Sequence, residues 1–249
     1  MVQKRMKMLI LGATSAIAHE AAKCFAAESA EFFLVGRTAE KLEAVAQDLK
    51  VRGAKRVETC LLDLSELERH QELIDTAVAT LGGLDTVLIS HGTLGNQQKS
   101  EQSVEETLKE FTINCTSVIS LLTILGNYFE QQRHGCIAVV TSVAGDRGRR
   151  SNYVYGTTKG AISLFVQGLR SRLYKAGVSV VTIKPGLVDT PMTAGLKKGP
   201  LFASPRTVGE GIYRAIKQRK EVVYLPHYWR AIMLVVKLLP EKVFKRLAV

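Results

Sequence analysis

The chain has 249 residues, 46% of them hydrophobic and 23% charged, with a net charge of +11 at neutral pH. That length suits a single α/β domain with a full core. Four cysteines (Cys24, Cys60, Cys115, Cys136) stand far apart with no C-x-x-C pair, which argues against a disulfide framework or a zinc site and fits a reducing, cytoplasmic compartment.

The start imitates a secretory leader: Lys4, Arg5 and Lys7 precede an apolar run, and Ala16-Ile17-Ala18 resembles a cleavage site. The run 8–11 stops at Gly12, too short for a leader's apolar stretch, so a buried first strand is expected. No later run approaches the ~18 apolar residues of a membrane span. Strands are expected at 7–11, 31–35, 56–61, 85–90, 136–141, 179–184 and 221–225. Helices are expected at 15–28, 38–51, 65–81, 103–131, 152–176 and 206–219. Ser65 with Glu68 and Ser103 with Glu106 have the spacing of capping boxes. Apolar strands alternating with helices predict a single doubly wound parallel α/β sheet, helices on both faces, over 1–227. The basic apolar tail, 228–249, is not a separate domain. Ligands of such a sheet bind beyond the carboxyl ends of its strands.

The motifs fall at those ends. In "LILGATSAIA", Gly12 permits a tight turn, Thr14 and Ser15 offer hydroxyls, and the amides of Ala16 and Ile17 open a helix able to hold a pyrophosphate. The second strand closes on Gly36 and Arg37. A carboxylate there would hold a ribose 2′-hydroxyl, whereas an arginine accepts a 2′-phosphate, so NADP(H) is favoured over NAD(H). Asp63 and Leu64 end the third strand, placed to contact an adenine.

The stretch "SVAGDRGRRSNYVYGTTK" fills residues 142–159. Residues four apart share a helix face, so Lys159 stands beside Tyr155 while Tyr153 has only Thr157. A phenol titrates near ~10, and a neighbouring ammonium is expected to lower that value. Ser142, at a strand end, can meet a substrate oxygen. Tyr155 is therefore the working tyrosine, and Tyr153 is expected to line the pocket or pack in the core. Arg147, Arg149 and Arg150 lie between serine and tyrosine, and at least one is expected to grip a substrate phosphate.

With "GATSAIA", "DL", "NCTS", "SVAG", "YGTTK" and "PGLVDTPM" in order, and thirteen residues from Ser142 to Tyr155, the chain resembles the short-chain dehydrogenase/reductase family over nearly its whole length. The resemblance implies a Rossmann-type fold and NAD(P)-dependent hydride transfer to a ketone or from a secondary alcohol, with no metal. It makes Tyr155 the proton donor, Ser142 a donor to the reacting oxygen, and Lys159 the group that tunes Tyr155 and holds the ribose hydroxyls. Asn114 would hold a water in the proton relay. Pro185, Gly186, Val188 and Thr190 would lie against the nicotinamide, and a homodimer or homotetramer is implied.

Two departures stand out. The phosphate-turn glycines are Ala16 and Ala18. The usual Asn-Asn-Ala-Gly reads Ile89-Ser90-His91-Gly92, which sets Ser90, His91 and Gly92 beside the cofactor, His91 as a wall. No G-x-S-x-G elbow is present, against a serine hydrolase. Within the family, 142–159 and the "GTLG" after the fourth strand most resemble reductases of a polyprenyl-phosphate-linked 2-keto-pentose in arabinan biosynthesis. A simpler hydrophobic carbonyl (a 3-ketoacyl or steroid ketone) and a non-catalytic cofactor sensor are the rival readings.

From Lys197 onward, twelve basic residues face three acidic ones. They are not interleaved with stacking aromatics, so no nucleic acid is expected. In 228–249, Tyr228, Trp229 and a run of aliphatic residues alternate with lysines and arginines. That pattern fits an anionic membrane surface on the cytoplasmic side, with docking on another subunit as the alternative.

Overall fold

The computed structural model describes residues 5–247; Lys4 of the leader-like start and tail residues 248 and 249 lie outside the described residues. A run apolar on successive strand residues needs protein on both faces, and Met8 to Leu11 of β1 (Lys7–Leu11) has it. Its Met8 and Ile10 point into one core, with Ile17, Ala21 and Phe25 of α1 (Ala16–Ala26), Leu42 and Leu49 of α2 (Ala39–Val51), and Ile212 of α8 (Pro205–Lys217). Leu9 and Leu11 point into the other, with α3 (His70–Leu81), α6 (Ser117–Gln132) and α7 (Tyr153–Leu173). The period-two alternation of strand side chains thus divides one run between two cores.

The remaining strands are β2 (Glu31–Gly36), β3 (Arg56–Leu61), β4 (Thr86–Ile89), β5 (Cys136–Val140), β6 (Ser179–Pro185) and β7 (Val222–Leu225). All pair in parallel, in the order β3-β2-β1-β4-β5-β6-β7. The order reverses between β1 and β4, and that reversal opens the crevice where a doubly wound sheet binds its ligand.

Three local details depart from the sequence expectation. Ser103 caps α5 (Val104–Phe111) by accepting from Glu106 N at 3.2 Å, but Ser65 does not cap its helix. Its N–H and hydroxyl both donate to Asp63 Oδ1, at 3.0 and 2.8 Å, and a 3-10 turn precedes α3. A short α4 (Gln97–Gln102), capped by Asn96, was not expected because its sequence carries no apolar period. The long fourth helix is α5 and α6 joined by a wide π turn, Thr112–Thr116, which carries Asn114. That 29-residue run, Val104–Gln132, has the length and hydropathy of a membrane span. Leu121, Leu122, Leu125 and Phe129 nevertheless lie fully buried in the core of the sheet.

The tail folds back as α9 (Trp229–Leu238) and α10 (Glu241–Phe244), Pro240 separating them. Trp229 and Met233 bury against Val143, in the loop that follows β5.

Candidate active site

A cleft of ≈ 710 Å³ runs across the carboxyl ends of the central strands, within the usual range for small-molecule sites. At one end, Gly12 turns with φ of 86°, and a Cβ there would stand 2.6 Å from His91 N. Turn and close approach both require glycine at that position. Ser15 precedes α1 without bonding its amides, and receives instead the Ser90 hydroxyl at 3.0 Å. The first-turn N–H groups of Ala16 and Ile17 therefore stay available to an anion. Thr14, Gly36, Arg37, Asp63 and Leu64 line the same end. The Arg37 guanidinium lies 3.9 Å from the Asp63 carboxylate, both solvent-accessible. The Ser65 backbone N–H, more than Arg37, holds the Asp63 carboxyl below its ordinary range.

Of the candidate catalytic residues, Ser142, Tyr155 and Lys159 line the middle of the cleft, whereas Asn114 is not part of its wall. Ser142 follows β5, accepts from Ala144 N at 3.1 Å, and stands within hydrogen-bond reach of the Tyr155 phenol. Lys159, one turn along α7, is 5% exposed; its Nζ lies 5.8 Å from the Tyr155 ring centre and 3.5 Å from Val140 O. Asn114 is fully buried, its Oδ1 accepting from Thr93 N at 2.8 Å. The expected lowering of the Tyr155 pKa is not realised. Burial pushes the phenol up to about 12; the Ser142 hydrogen bond opposes this and the Glu110 charge reinforces it. Burial likewise brings Lys159 down to about 8. The phenol is thus held protonated and is able to donate a proton.

One pH dependence follows. Lys159 carries its charge below about pH 8 and loses it above, so kcat/KM for ketone reduction should fall as pH rises through that region. Lys159→Met should remove the limb in a pH–rate profile. A wild-type profile flat to pH ~10, the ordinary lysine range, would contradict this.

His91 lines the cleft. Burial holds its imidazole down to about 3, and its Nε2 meets Ser117 Oγ at 2.9 Å. A ring kept neutral there does not exchange protons near pH 7. Gly92, Pro185, Gly186, Val188 and Thr190 all line the cleft.

The substrate end needs correction. Tyr153 is 43% exposed and absent from the cleft wall, because the first turn of α7 turns Tyr155 inward and Tyr153 out. Arg150 is exposed. Arg147 faces the tail: it donates to Val236 O and Leu239 O at 2.5 and 2.6 Å, pairs with Glu241 at 3.0 Å, and stacks 3.8 Å from the Phe244 ring. Only Arg149 of the three lines the cleft.

The sequence reading also missed Trp229. It is 5% exposed, lines the cleft, and packs so closely on Gly186 that a Cβ there would collide with the indole. The tail is therefore one wall of the site. The signal was available in the bare α-carbon of Gly186, but not its partner, which lies far along the chain.

These residues fit a nicotinamide dinucleotide: free amides at the turn, an arginine at the ribose end, and Tyr155 and Lys159 where a nicotinamide ribose would lie. The comparisons agree. The family model described as short chain dehydrogenase matches residues 6–200. An uncharacterized oxidoreductase of Mycobacterium tuberculosis is 33% identical over 240 residues, 96% of either chain. One from Streptomyces coelicolor is 33% identical over 245 residues, 97% of this chain and 96% of that protein. Levodione reductase has the same fold at TM-score 0.80 and 19% identity, covering 89% of this chain and 97% of its own. A putative dehydrogenase from Burkholderia cenocepacia, solved with NADP, gives 0.80 at 18% identity, covering 88% and 91%. With the Ser142, Tyr155 and Lys159 side chains gathered at the crevice of such a sheet, the chain belongs to the short-chain dehydrogenase family, an NAD(P)-using oxidoreductase.

Proposed function

We propose that the protein is an NADP(H)-dependent reductase of a ketone that bears an anionic group and is carried by a membrane lipid, in its finest form a polyprenyl-phosphate-linked keto-pentose. One observation carries this reading. Among the described residues, four buried side-chain polar atoms have no partner: His91 Nδ1, Arg149 Nε, Asn152 Oδ1 and Trp229 Nε1. All four residues line the cleft. Each orphan costs about 1–3 kcal/mol, which a ligand with matching groups recovers. Arg149 makes no ion pair among the described residues; its guanidinium donates to Met233 Sδ at 3.6 Å. A guanidinium and an indole N–H are donors for an anion, and Asn152 Oδ1 is an acceptor for a hydroxyl. A plain steroid carbonyl would leave the Arg149, Asn152 and Trp229 atoms unmatched.

Bound in the cleft, the reduced nicotinamide supplies the hydride. The chain does the rest: Ser142 and Tyr155 hydrogen-bond the carbonyl oxygen, and Tyr155 gives its proton as negative charge develops there. Lys159 holds ribose hydroxyls and sets the field at Tyr155. The assembled set favours catalysis over a purely sensing role, and ketone-dependent NADPH oxidation decides between them.

Substituting Arg149→Met keeps the packing and removes the charge. It should raise KM for a phosphate-bearing ketone about 10–100-fold, the worth of one charge-assisted contact, and leave KM for a neutral ketone nearly unchanged. Equal effects on both would remove the anionic substrate from the reading.

Gly36 and Arg37 support NADP(H), and the Burkholderia cenocepacia protein was solved with that cofactor. NADPH should bind more tightly than NADH, and Arg37→Ala should erase a preference of about 1.5–3 kcal/mol. Equal wild-type affinities in a fluorescence titration would contradict it.

The tail supports the lipid. Leu234, Val235 and Leu238 are 57%, 60% and 74% exposed, and Lys237, Lys242, Lys245 and Arg246 stand around them, exposed as well. An apolar stripe rimmed by cations suits an anionic membrane surface. Deleting 228–249 is the wrong test, since it removes the Trp229 wall. Leu234→Glu with Leu238→Glu should instead release the protein from phosphatidylserine vesicles while soluble-ketone reduction persists. A wild-type protein that ignores such vesicles at low salt, and a dimer that this pair breaks, would make the stripe a subunit contact.

A further inference from the structure

We propose that Asn152 is a specificity-determining residue for a hydroxyl on the carbon next to the reacting carbonyl, and that Gln97 is the positioning residue that frees it. The inference rests on the ketone-reductase reading above and narrows it to α-hydroxyketones. Asn152 stands at the N-cap of α7, where an asparagine ordinarily accepts a hydrogen bond from an N–H of the first turn. Asn96, at the same position of α4, does so, taking the Lys99 N–H at 3.1 Å. Asn152 does not. Its backbone is engaged, the N–H donating to Arg149 O at 3.1 Å and the carbonyl accepting from Gly156 N at 2.8 Å. Its side-chain amide makes no hydrogen bond among the described residues, and the Oδ1 is buried.

The reason lies in α4. The Val154 N–H, which a cap at Asn152 would take, donates instead to Gln97 Oε1 at 3.2 Å, across 57 residues of chain. The Gln97 amide is fixed that way round, because its Nε2–H donates to Glu101 Oε1 at 3.2 Å. A side chain from another element thus caps the helix that carries Tyr155, and the asparagine is left over.

The spare amide sits at the chemistry. Gln97, Ser142, Arg149, Asn152 and Tyr155 all line the cleft. The N-cap and third residues of a helix are side-chain neighbours, as in a capping box, and the third residue of α7 is Tyr155. A ligand whose carbonyl oxygen meets the Tyr155 phenol therefore brings the adjoining carbon toward Asn152. An unbonded amide can turn about its last bond to offer oxygen or N–H, and a hydroxyl answers either. A ligand ammonium would also satisfy the oxygen, but the Arg149 guanidinium in the same wall repels it. A neutral hydroxyl remains.

The experiment compares NADPH oxidation on 3-hydroxybutan-2-one and butan-2-one. The ratio of their kcat/KM values, compared between proteins, cancels the reactivity of the carbonyls themselves. Asn152→Leu should lower the wild-type ratio about tenfold, through KM rather than kcat, as expected of one lost hydrogen bond. Gln97→Leu should lower it as well, since the released Val154 N–H recaptures the Asn152 amide, and should add nothing in the Asn152→Leu background. Thermal unfolding reads the hand-off without turnover. Asn152→Leu should lower Tm by no more than about 1 °C in the wild type, yet by about 2–4 °C in the Gln97→Leu background, where Asn152 has become the cap. A hydroxyl ratio unmoved by Asn152→Leu, in an enzyme that still prefers a phosphorylated ketone, would overturn the inference and leave the anionic-substrate reading standing. Equal Tm losses from Asn152→Leu in both backgrounds would show that Asn152 caps its own helix, and would overturn it too.

Discussion

Tyr155→Phe is expected to lower turnover by about 10²–10⁴-fold, the usual worth of a general acid, while NADPH affinity stays near that of the wild type. The ring remains, so α7 keeps its packing and Lys159 keeps its place; only the proton donor is lost. Ser142 retains its bond from Ala144 N at 3.1 Å, so it can still orient a carbonyl that then finds no proton. The control is one turn-face away: Tyr153→Phe should leave rate and affinity unchanged, because Tyr153 is 43% exposed and outside the cleft. Steady-state kinetics with a fluorescence titration of NADPH checks both. An inactive Tyr153→Phe beside an active Tyr155→Phe would reverse the assignment.

Trp229→Ala carries the second large effect, on stability and on the site together. A large aromatic side chain removed from a core costs about 3–5 kcal/mol, and for a domain of this size that lowers Tm by roughly 6–20 °C. The loss should not stop at packing. The indole covers Gly186 and shares a small core with Val143 and Met233, so its removal opens one end of the cleft and raises ketone KM. Trp229→Phe separates the two roles: it should recover most of the stability and still lack the indole N–H. A Trp229→Ala protein with wild-type Tm and KM would show that the tail is no wall of the site.

The sheet was legible because its strands are short apolar runs in a strict rhythm with amphipathic helices; each of the seven strands among the described residues coincides with an expected run. That Lys159 stands beside Tyr155 and not Tyr153 was legible from helical spacing, and the place of Ser142 was legible from the end of the strand before it. What escaped depends on contacts between distant parts. The tail was read as surface because its run has too many apolar residues for one core stripe; α9 in fact buries Trp229 and Met233 and leaves Leu234, Val235 and Leu238 outside. The loop arginines look alike in sequence, yet the chain turns Arg147 toward tail carbonyls and Arg149 into the cleft. The Tyr155 pKa went the other way because proximity of an ammonium was legible and the burial of the phenol was not.

Arg147 ties these observations together. Its contacts to Val236 O, Leu239 O, Glu241 and Phe244 fasten α9 and α10 to the loop that follows Ser142. A second fastening is buried beneath it: Asp146 pairs with Lys184 of β6 and accepts the Tyr224 hydroxyl of β7 at 2.7 Å. Loop, sheet and tail therefore present Arg149 and Trp229 to the cleft as one assembly.

The most direct measurement is NADPH oxidation by the purified protein on a matched pair of ketones, dihydroxyacetone phosphate and dihydroxyacetone. The account predicts ketone-dependent oxidation with a higher kcat/KM for the phosphorylated partner, an advantage that Arg149→Met removes and Tyr155→Phe makes moot by stopping both. Equal kcat/KM for the two ketones, unchanged by Arg149→Met, would contradict it.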